Sequence, residues 1–184
     1  MCSSDLIQQE TQVTTIFVTH DQEEAMSISD IIVVMKLGVV QQIGAPQSVY
    51  DDPKNLFVAK FLGTPPINVL EGKVSGGKIY IGDEAVLEVT NVEDQDIYIG
   101  IRPEGIEPNE NGVLTCNLNS VEVMGRDSSV VSTNPASLNP IVRAIINSDI
   151  RIDTTAETIK YNIKPHKFFI FNKETEERIY YEVK

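Results

Sequence analysis

The pattern of apolar and polar positions changes near residue 63, and each side of that point predicts a different kind of structure. The nearly continuous apolar run Thr14–Val18 predicts a strand buried on both faces, as in a parallel sheet. "EEAMSIS" has the pattern of a helix that ends before Asp30, and "IIVVMK" predicts the next strand. Because strand and helix alternate, residues 1–63 are predicted to be α/β.

The remaining segments of this first part fit the same pattern. "LIQQETQ" predicts the end of a helix before the first strand, and "LGVVQQIG" predicts a turn and a hairpin strand at a sheet edge. "APQSVYDDP" predicts a short helix with Pro46 in its first turn, and Gly63 closes the helix predicted for "NLFVAKFLG". Asp21 is the predicted N-cap of the "EEAMSIS" helix, with Glu24 completing a capping-box-like pattern.

From residue 64 onward, short alternating runs are separated by Gly, Asn, Asp and Pro. Gly76-Gly77 predicts a hairpin turn, and "DIYIGIRPE" places Ile97, Ile99 and Ile101 on one face of a strand. Further strands are predicted in "VLTCNLNSVEVMG", "SSVVSTN", "PIVRAII", "TIKYNIK", "KFFIFN" and "RIYYEVK". Many short strands at this spacing predict a closed β-barrel or a sandwich over residues 64–184.

Composition and charge exclude several classes of partner. The 184 residues carry 15 Lys and Arg against 27 Asp and Glu, a net charge of -12, which repels nucleic acid. The longest wholly apolar run, Ile31–Met35, is too short to cross a bilayer, and the N-terminus lacks the apolar core of a secretory signal. Cys2 and Cys116 have no metal-ligand spacing, so a reduced, cytoplasmic protein without a metal site is expected.

One long segment carries a specific resemblance. "TTIFVTHDQEEAMSISDIIVVMKLGVVQQIGAPQSVYDDPKNLFVAKFLGTPPINVLEG", Thr14–Gly72, resembles the C-terminal third of an ABC-importer ATPase of the maltose-transporter type. "GIRPE" at Gly100–Glu104 and the later "FIFNKETEERI" are similar to the regulatory domain of that family. The resemblance implies an α/β remnant of an ABC nucleotide-binding domain at 1–63, followed by an all-β OB-like barrel, the transport-associated domain, at 64–184.

The resemblance also implies a role for His20. In the family, the histidine of "VTHDQ" is the switch histidine, which hydrogen-bonds the γ-phosphate of ATP. An imidazole suits this task because one ring nitrogen donates a hydrogen bond while the other accepts one. A histidine that merely ends a strand is the alternative interpretation, and the match of the surrounding residues favours the switch histidine.

Several parts of a complete ATPase do not occur in this sequence. The chain has no Gly-x-x-x-x-Gly-Lys-Ser/Thr phosphate loop, no "LSGGQ" signature and no magnesium-binding carboxylate strand. We therefore expect a C-terminal fragment of a longer protein. ATP and Mg²⁺ are expected for the intact parent, while the fragment alone is expected to bind no cofactor and to be inactive.

The family implies an importer of sugars or related solutes, peripheral at the inner face of the cell membrane. Its expected partners are a second copy, joined as a homodimer through the barrel, the transmembrane permease subunits and a regulatory protein. An alternative function is a stand-alone module that binds a small oxyanion or sugar, or a regulator, without ATPase activity. Because strands of the first part lack parallel neighbours, residues 1–60 are expected to pack on the barrel of a second copy or to be partly disordered.

Other chemically capable residues have simpler explanations. Glu23 and Glu24 suit the positive start of a helix, and His166 is expected to be solvated. Cys116 alternates with Leu114 and Leu118, which predicts a core position.

The barrel segments have structural explanations of the same kind. Arg102 and Glu104 of "RPE" are expected to find local partners, although an arginine there also suits an anion. "KFFIF" has the composition of a base-stacking surface, but its alternation predicts that half of it faces the core, and Tyr180 and Tyr181 read the same way.

Overall fold

The computed structural model describes residues 13–184. These residues form three α-helices and fourteen strands, which are arranged in three sheets. The helices are α1 (Gln22–Ile28), α2 (Pro46–Asp51) and α3 (Leu56–Phe61). The strands are β1 (Ile32–Lys36), β2 (Val39–Gly44), β3 (Asn68–Ser75), β4 (Lys78–Ile81), β5 (Glu84–Thr90), β6 (Gln95–Ile101), β7 (Ile106–Pro108), β8 (Leu114–Met124), β9 (Asp127–Thr133), β10 (Val142–Asn147), β11 (Thr158–Ile163), β12 (Phe168–Asn172), β13 (Arg178–Ile179) and β14 (Glu182–Val183). No helix in the described part of the chain is both long and apolar enough to span a bilayer.

Strands β1 and β2 form the predicted hairpin. Its two turn residues, Leu37 and Gly38, have φ values of 49° and 81°, the left-handed conformation that a two-residue hairpin turn requires. One face of the hairpin packs Ile32 and Val34 into a small core with side chains of α2 and α3. The opposite face is apolar but exposed, as at Val33.

A seven-stranded antiparallel sheet forms the first half of the barrel domain, in the order β13-β12-β6-β3-β4-β5-β14. Its two edge strands are separated by only two residues of sequence. Ile179 in β13 pairs with Ile170 in β12, whereas Val183 in β14 pairs with Val89 in β5. The same short segment therefore joins both edges, and the sheet forms a nearly closed barrel.

A five-stranded antiparallel sheet, in the order β10-β9-β8-β11-β7, forms a half-barrel beside it. The two sheets share one hydrophobic core, in which Ile97, Ile99 and Ile101 are completely buried on one face of β6, as their spacing predicts. The architecture confirms the prediction of an all-β, OB-like barrel after an α/β segment.

Helix α3 packs on the barrel of its own chain. Leu56 and Ala59 of the helix share a buried cluster with barrel residues that include Val69, Phe169 and Phe171. The expectation that this part of the chain packs on a second copy or is partly disordered is therefore wrong for α3. The barrel of the same chain covers α3, through Val69 in β3 and through Phe169 and Phe171 in β12.

The predicted strand at Thr14–Val18 is not a strand. Residues 13–20 have no regular secondary structure, and the side chains of Ile16 and Val18 are 89% and 90% exposed. A strand needs a hydrogen-bonded neighbour, and none of the strands between residues 13 and 184 pairs with this segment. The helix end predicted in "LIQQETQ" lies outside the described residues.

Candidate functional site

His20 lies at the point where the extended segment meets α1. The adjoining Asp21 is the N-cap of the helix, since its Oδ1 accepts hydrogen bonds from the N–H groups of Glu23 (3.0 Å) and Glu24 (3.1 Å). This confirms the predicted cap. The cap fixes the backbone directly after His20, while the His20 side chain is exposed to solvent.

The backbone on the other side of His20 is held by Thr19. The Thr19 hydroxyl accepts a hydrogen bond from the Asp21 N–H (3.0 Å) and donates one to the Glu24 carboxylate (3.0 Å). In a capping box the Glu24 carboxylate accepts directly from the N-cap N–H, so here Thr19 bridges the two groups. Glu24 is therefore a structural residue, and the arrangement presents His20 between two anchored neighbours.

The surroundings of His20 contain few other candidate ligands. An open cleft lies beside α1 and is lined by Gln22, Glu23, Met26, Tyr50, Gly63 and Thr64. Within residues 13–184, no group of three His, Cys, Asp or Glu side chains is placed to hold a metal ion. The geometry supports one exposed imidazole on a fixed backbone, suited to contacting an anionic group.

The prediction that Arg102 has local partners is wrong. Its side chain is completely buried, and its partners are remote in sequence: Nη1 donates to the carbonyl oxygens of Ala59 (2.9 Å) and Leu62, and Nη2 donates to that of Tyr50 (2.8 Å). These carbonyls lie at the C-terminal ends of α2 and α3, which carry partial negative charge. Burial lowers the pKa of Arg102, and neighbouring Tyr50 and Glu104 oppose that shift.

A polar network surrounds Arg102 and crosses from α2 to the barrel. The Tyr50 hydroxyl donates to Glu104 Oε1 (3.0 Å), and burial raises the pKa of Tyr50 to about 12, so it keeps its proton. Lys167 Nζ lies 2.7 Å from Asp51 Oδ1 and 3.5 Å from Glu104 Oε1. Glu104, expected to have a local partner, instead joins residues of α2 and the turn before β12.

The other candidates are structural. His166 is exposed, and Cys116 is buried as predicted, with burial raising the pKa of its thiol to about 11. All four residues of Phe168–Phe171 are buried, rather than half of them, because the two faces of β12 cover two different cores. Tyr180 is exposed, while the half-buried Tyr181 donates to the Phe168 carbonyl (2.8 Å), in line with the predicted alternation.

Comparison with known proteins identifies relatives over almost the whole chain. A Mycoplasma pneumoniae protein assigned to the ABC transporter ATP-binding class is 39% identical over 177 residues, which cover 94% of this chain and 29% of the relative. An oligosaccharide import ATP-binding protein of Bacillus subtilis is 35% identical over 190 residues, 94% of this chain and 51% of the relative. An sn-glycerol-3-phosphate import ATP-binding protein of Jannaschia sp. is 31% identical over 177 residues, 94% of this chain and 49% of the relative. The chain spans about half or less of the length of these relatives, and no protein-family model matches it.

Proposed function

Since this chain belongs to the family of ABC-importer ATP-binding proteins, we propose that it forms part of an ATPase that drives the import of a solute. The observation that carries the proposal is the similarity over 94% of the chain to importer ATP-binding proteins. The nearly closed barrel and half-barrel that follow are proposed to be the regulatory domain.

His20 is proposed to be the switch histidine of that ATPase. Its imidazole is exposed directly before the capped start of α1, so it is accessible to the γ-phosphate of a bound nucleotide. A neutral imidazole with one donor and one acceptor nitrogen can hold a phosphate oxygen and orient a neighbouring group at the same time. The Asp21 cap and the Thr19 bridge hold the backbone on both sides of that imidazole.

ATP and Mg²⁺ are proposed as the nucleotide and metal ion of the intact ATPase. The described residues fit one contact to such a nucleotide, that of His20, and they contain no group of three carboxylate, thiol or imidazole side chains that fits a metal ion. Catalysis of phosphoryl transfer depends on several positively charged and backbone N–H contacts to the phosphates. We therefore expect the phosphate loop and the metal ligands to come from another part of the intact ATPase, and this chain alone to be inactive.

The proposed cargo is a sugar or a related solute, because one relative is an oligosaccharide importer subunit and another an sn-glycerol-3-phosphate importer subunit. The proposed partners are transmembrane permease subunits, a second copy of the ATPase and a regulatory protein. Attachment to the permease places the protein at the cytoplasmic face of the membrane.

A chimera tests the role of His20. The corresponding C-terminal part of the Bacillus subtilis relative is replaced with this chain, and ATP hydrolysis by the purified chimera is measured. His20→Ala is expected to lower kcat by about a hundredfold, the usual effect of losing one preorganised hydrogen-bond donor to a group that gains charge in the transition state. His166→Ala is the matched control, because this exposed histidine lies on the barrel, and it is expected to leave kcat unchanged.

Two results would contradict the proposal. An active chimera whose kcat is unaffected by His20→Ala would remove the assigned role of His20. Substantial ATP hydrolysis by the 184-residue chain alone, which is lost on His20→Ala, would show that the missing phosphate contacts are not required.

Dimer formation through the barrel is tested by light scattering on the 184-residue chain over a range of concentrations. The expected result is a mass of about twice the 20.4 kDa monomer that persists on dilution. An interface of the usual size buries about 800 Å² on each partner and supports such persistence. A monomer at every concentration would contradict self-association of the barrel in this chain.

A further inference from the structure

The barrel holds helix α3 at both ends. At the N-terminal end, the Leu56 N–H donates to the Glu176 carbonyl (2.9 Å), and the Arg178 N–H donates to the Lys54 carbonyl (2.9 Å). At the C-terminal end, Arg102 donates to the carbonyls of Ala59 and Leu62. Main-chain bonds at one end and a guanidinium at the other therefore set the orientation of this six-residue helix on the barrel.

Arg102 extends this attachment to α2. Its guanidinium carbon lies 3.8 Å from the centroid of the Tyr50 ring and 5.9 Å from that of Phe169. The same group donates to the Tyr50 carbonyl (2.8 Å), while the Arg102 N–H donates to the Lys167 carbonyl (3.1 Å). The bond to Lys167 comes from the backbone N–H of Arg102, and the planar guanidinium makes the other contacts with its several fixed donors. An ammonium group lacks this forked donor set.

The turn that Arg102 holds also contacts the start of α1. Gly63 follows Leu62, and its N–H donates to the Gln22 side-chain oxygen (2.7 Å). Gly63 has φ = +112°, and a Cβ there would lie 2.9 Å from Tyr50 Cε2 and 3.2 Å from Arg102 Nη1. The close packing leaves little room for this turn to move independently of Arg102. Gln22 is the first residue of α1 and lies two positions after His20.

We propose that Arg102 is a positioning residue for His20. It fixes the ends of α2 and α3 to the barrel, and the Gly63–Gln22 hydrogen bond transmits that constraint to the start of α1. A displacement of the barrel, such as one imposed by a bound regulator, therefore moves the start of α1 and the adjoining His20 with it. The effect of this coupling on catalysis rests on the proposed function, whereas the contacts themselves do not depend on it.

The test is ¹H–¹⁵N NMR on the 184-residue chain without nucleotide. Arg102→Lys keeps the charge but loses the forked donor set, and Gln22→Ala removes the acceptor for Gly63. Arg102→Lys is expected to shift the amide resonances of Gly63 and of Asp21–Glu24, and Gln22→Ala is expected to shift that of Gly63. Each variant is expected to speed exchange of the Gly63 N–H by about tenfold, as expected when a local hydrogen bond is lost. The double variant is expected to show less than the sum of the two effects, because both changes break one connected set of contacts.

Arg143→Lys is the matched control. Arg143 also makes polar contacts, to Glu122 (3.1 Å) and Ser129 (2.6 Å), but it lies on β10 in the half-barrel. It is expected to shift resonances around β10 and to leave Gly63 and Asp21–Glu24 unchanged.

The proposal is overturned if Arg102→Lys leaves the Asp21–Glu24 resonances in place in a folded chain, or if the two changes are fully additive. If Arg102→Lys prevents folding, Gln22→Ala alone tests the proposal. A Gly63 resonance that does not shift in that variant would contradict the proposed series of contacts. Failure here is separable from failure of the proposed function. The NMR samples contain no nucleotide, and the His20→Ala experiment on the chimera leaves Arg102 unchanged.

Discussion

Phe171→Ala is expected to lower the free energy of unfolding by about 3–5 kcal/mol, the usual cost of deleting a buried phenylalanine ring from a packed core. Phe171 is completely buried, and it contributes to the cluster that joins Leu56 and Ala59 of α3 to the barrel. The truncation leaves a cavity at this junction. The position is enclosed by helix on one side and sheet on the other, so the surrounding structure can fill the cavity only partly.

Urea denaturation measures this effect, with Phe61→Ala as the matched control. Phe61 belongs to α3 itself but is 43% exposed, so its loss is expected to cost about 1 kcal/mol or less. Equal midpoints for the two variants would contradict the placement of Phe171 in the core. A spectroscopic probe in α3 that reports unfolding before the barrel would additionally show that the junction is the weaker part.

Gly72→Ala is expected to cost about 3 kcal/mol, at the upper end of the usual range for overpacking. Gly72 lies in β3, and a Cβ added there would approach Ile99 Cδ1 to 2.3 Å and the Tyr80 carbonyl oxygen to 2.5 Å. The carbonyl belongs to the backbone of the neighbouring strand β4. Relief of the clash therefore requires a shift of the strands, because rotation of a side chain cannot remove the contact with backbone.

Gly125→Ala separates this steric effect from the general cost of replacing a glycine. Gly125 has φ = +70° in the β8–β9 turn, and an added Cβ meets no atom within 4 Å. Its replacement is expected to cost about 1–2 kcal/mol through backbone strain alone. Thermal unfolding that places Gly72→Ala at or above the stability of Gly125→Ala would contradict the close approach of β3 and β4.

Local sequence signals predicted the elements whose structure is determined locally. The Asp21 cap, the β1–β2 hairpin and the hairpin at Gly76-Gly77 each depend on residues within a few positions of one another. The alternation of Ile97, Ile99 and Ile101 likewise reports a single buried face, because side chains of a strand point to opposite sides in turn. For these elements, the residues that produce the sequence pattern are the same residues that determine the conformation.

The sequence-based predictions were wrong where residues distant in sequence determine the conformation. An apolar run such as Thr14–Val18 becomes a buried strand only when another strand pairs with it, and its own sequence cannot supply that neighbour. "KFFIF" is buried on both faces because α3 packs on the side that alternation assigned to solvent. The role of Arg102 depends on Tyr50, Ala59 and Leu62, which are 40 or more residues away. The only local signal for it was an arginine at the end of a strand of buried isoleucines.

The pairing of β13 and β14 with opposite edges of one sheet has a consequence for how the protein is made. During translation, one hydrogen-bonding edge of β12 stays uncovered until Arg178 and Ile179 have been synthesised, and one edge of β5 stays uncovered until Glu182 and Val183 have been synthesised. Uncovered strand edges are the groups through which nascent chains associate with one another. Closure of this barrel therefore follows synthesis of its other strands, and a nascent chain that ends before Arg178 exposes both edges to other chains.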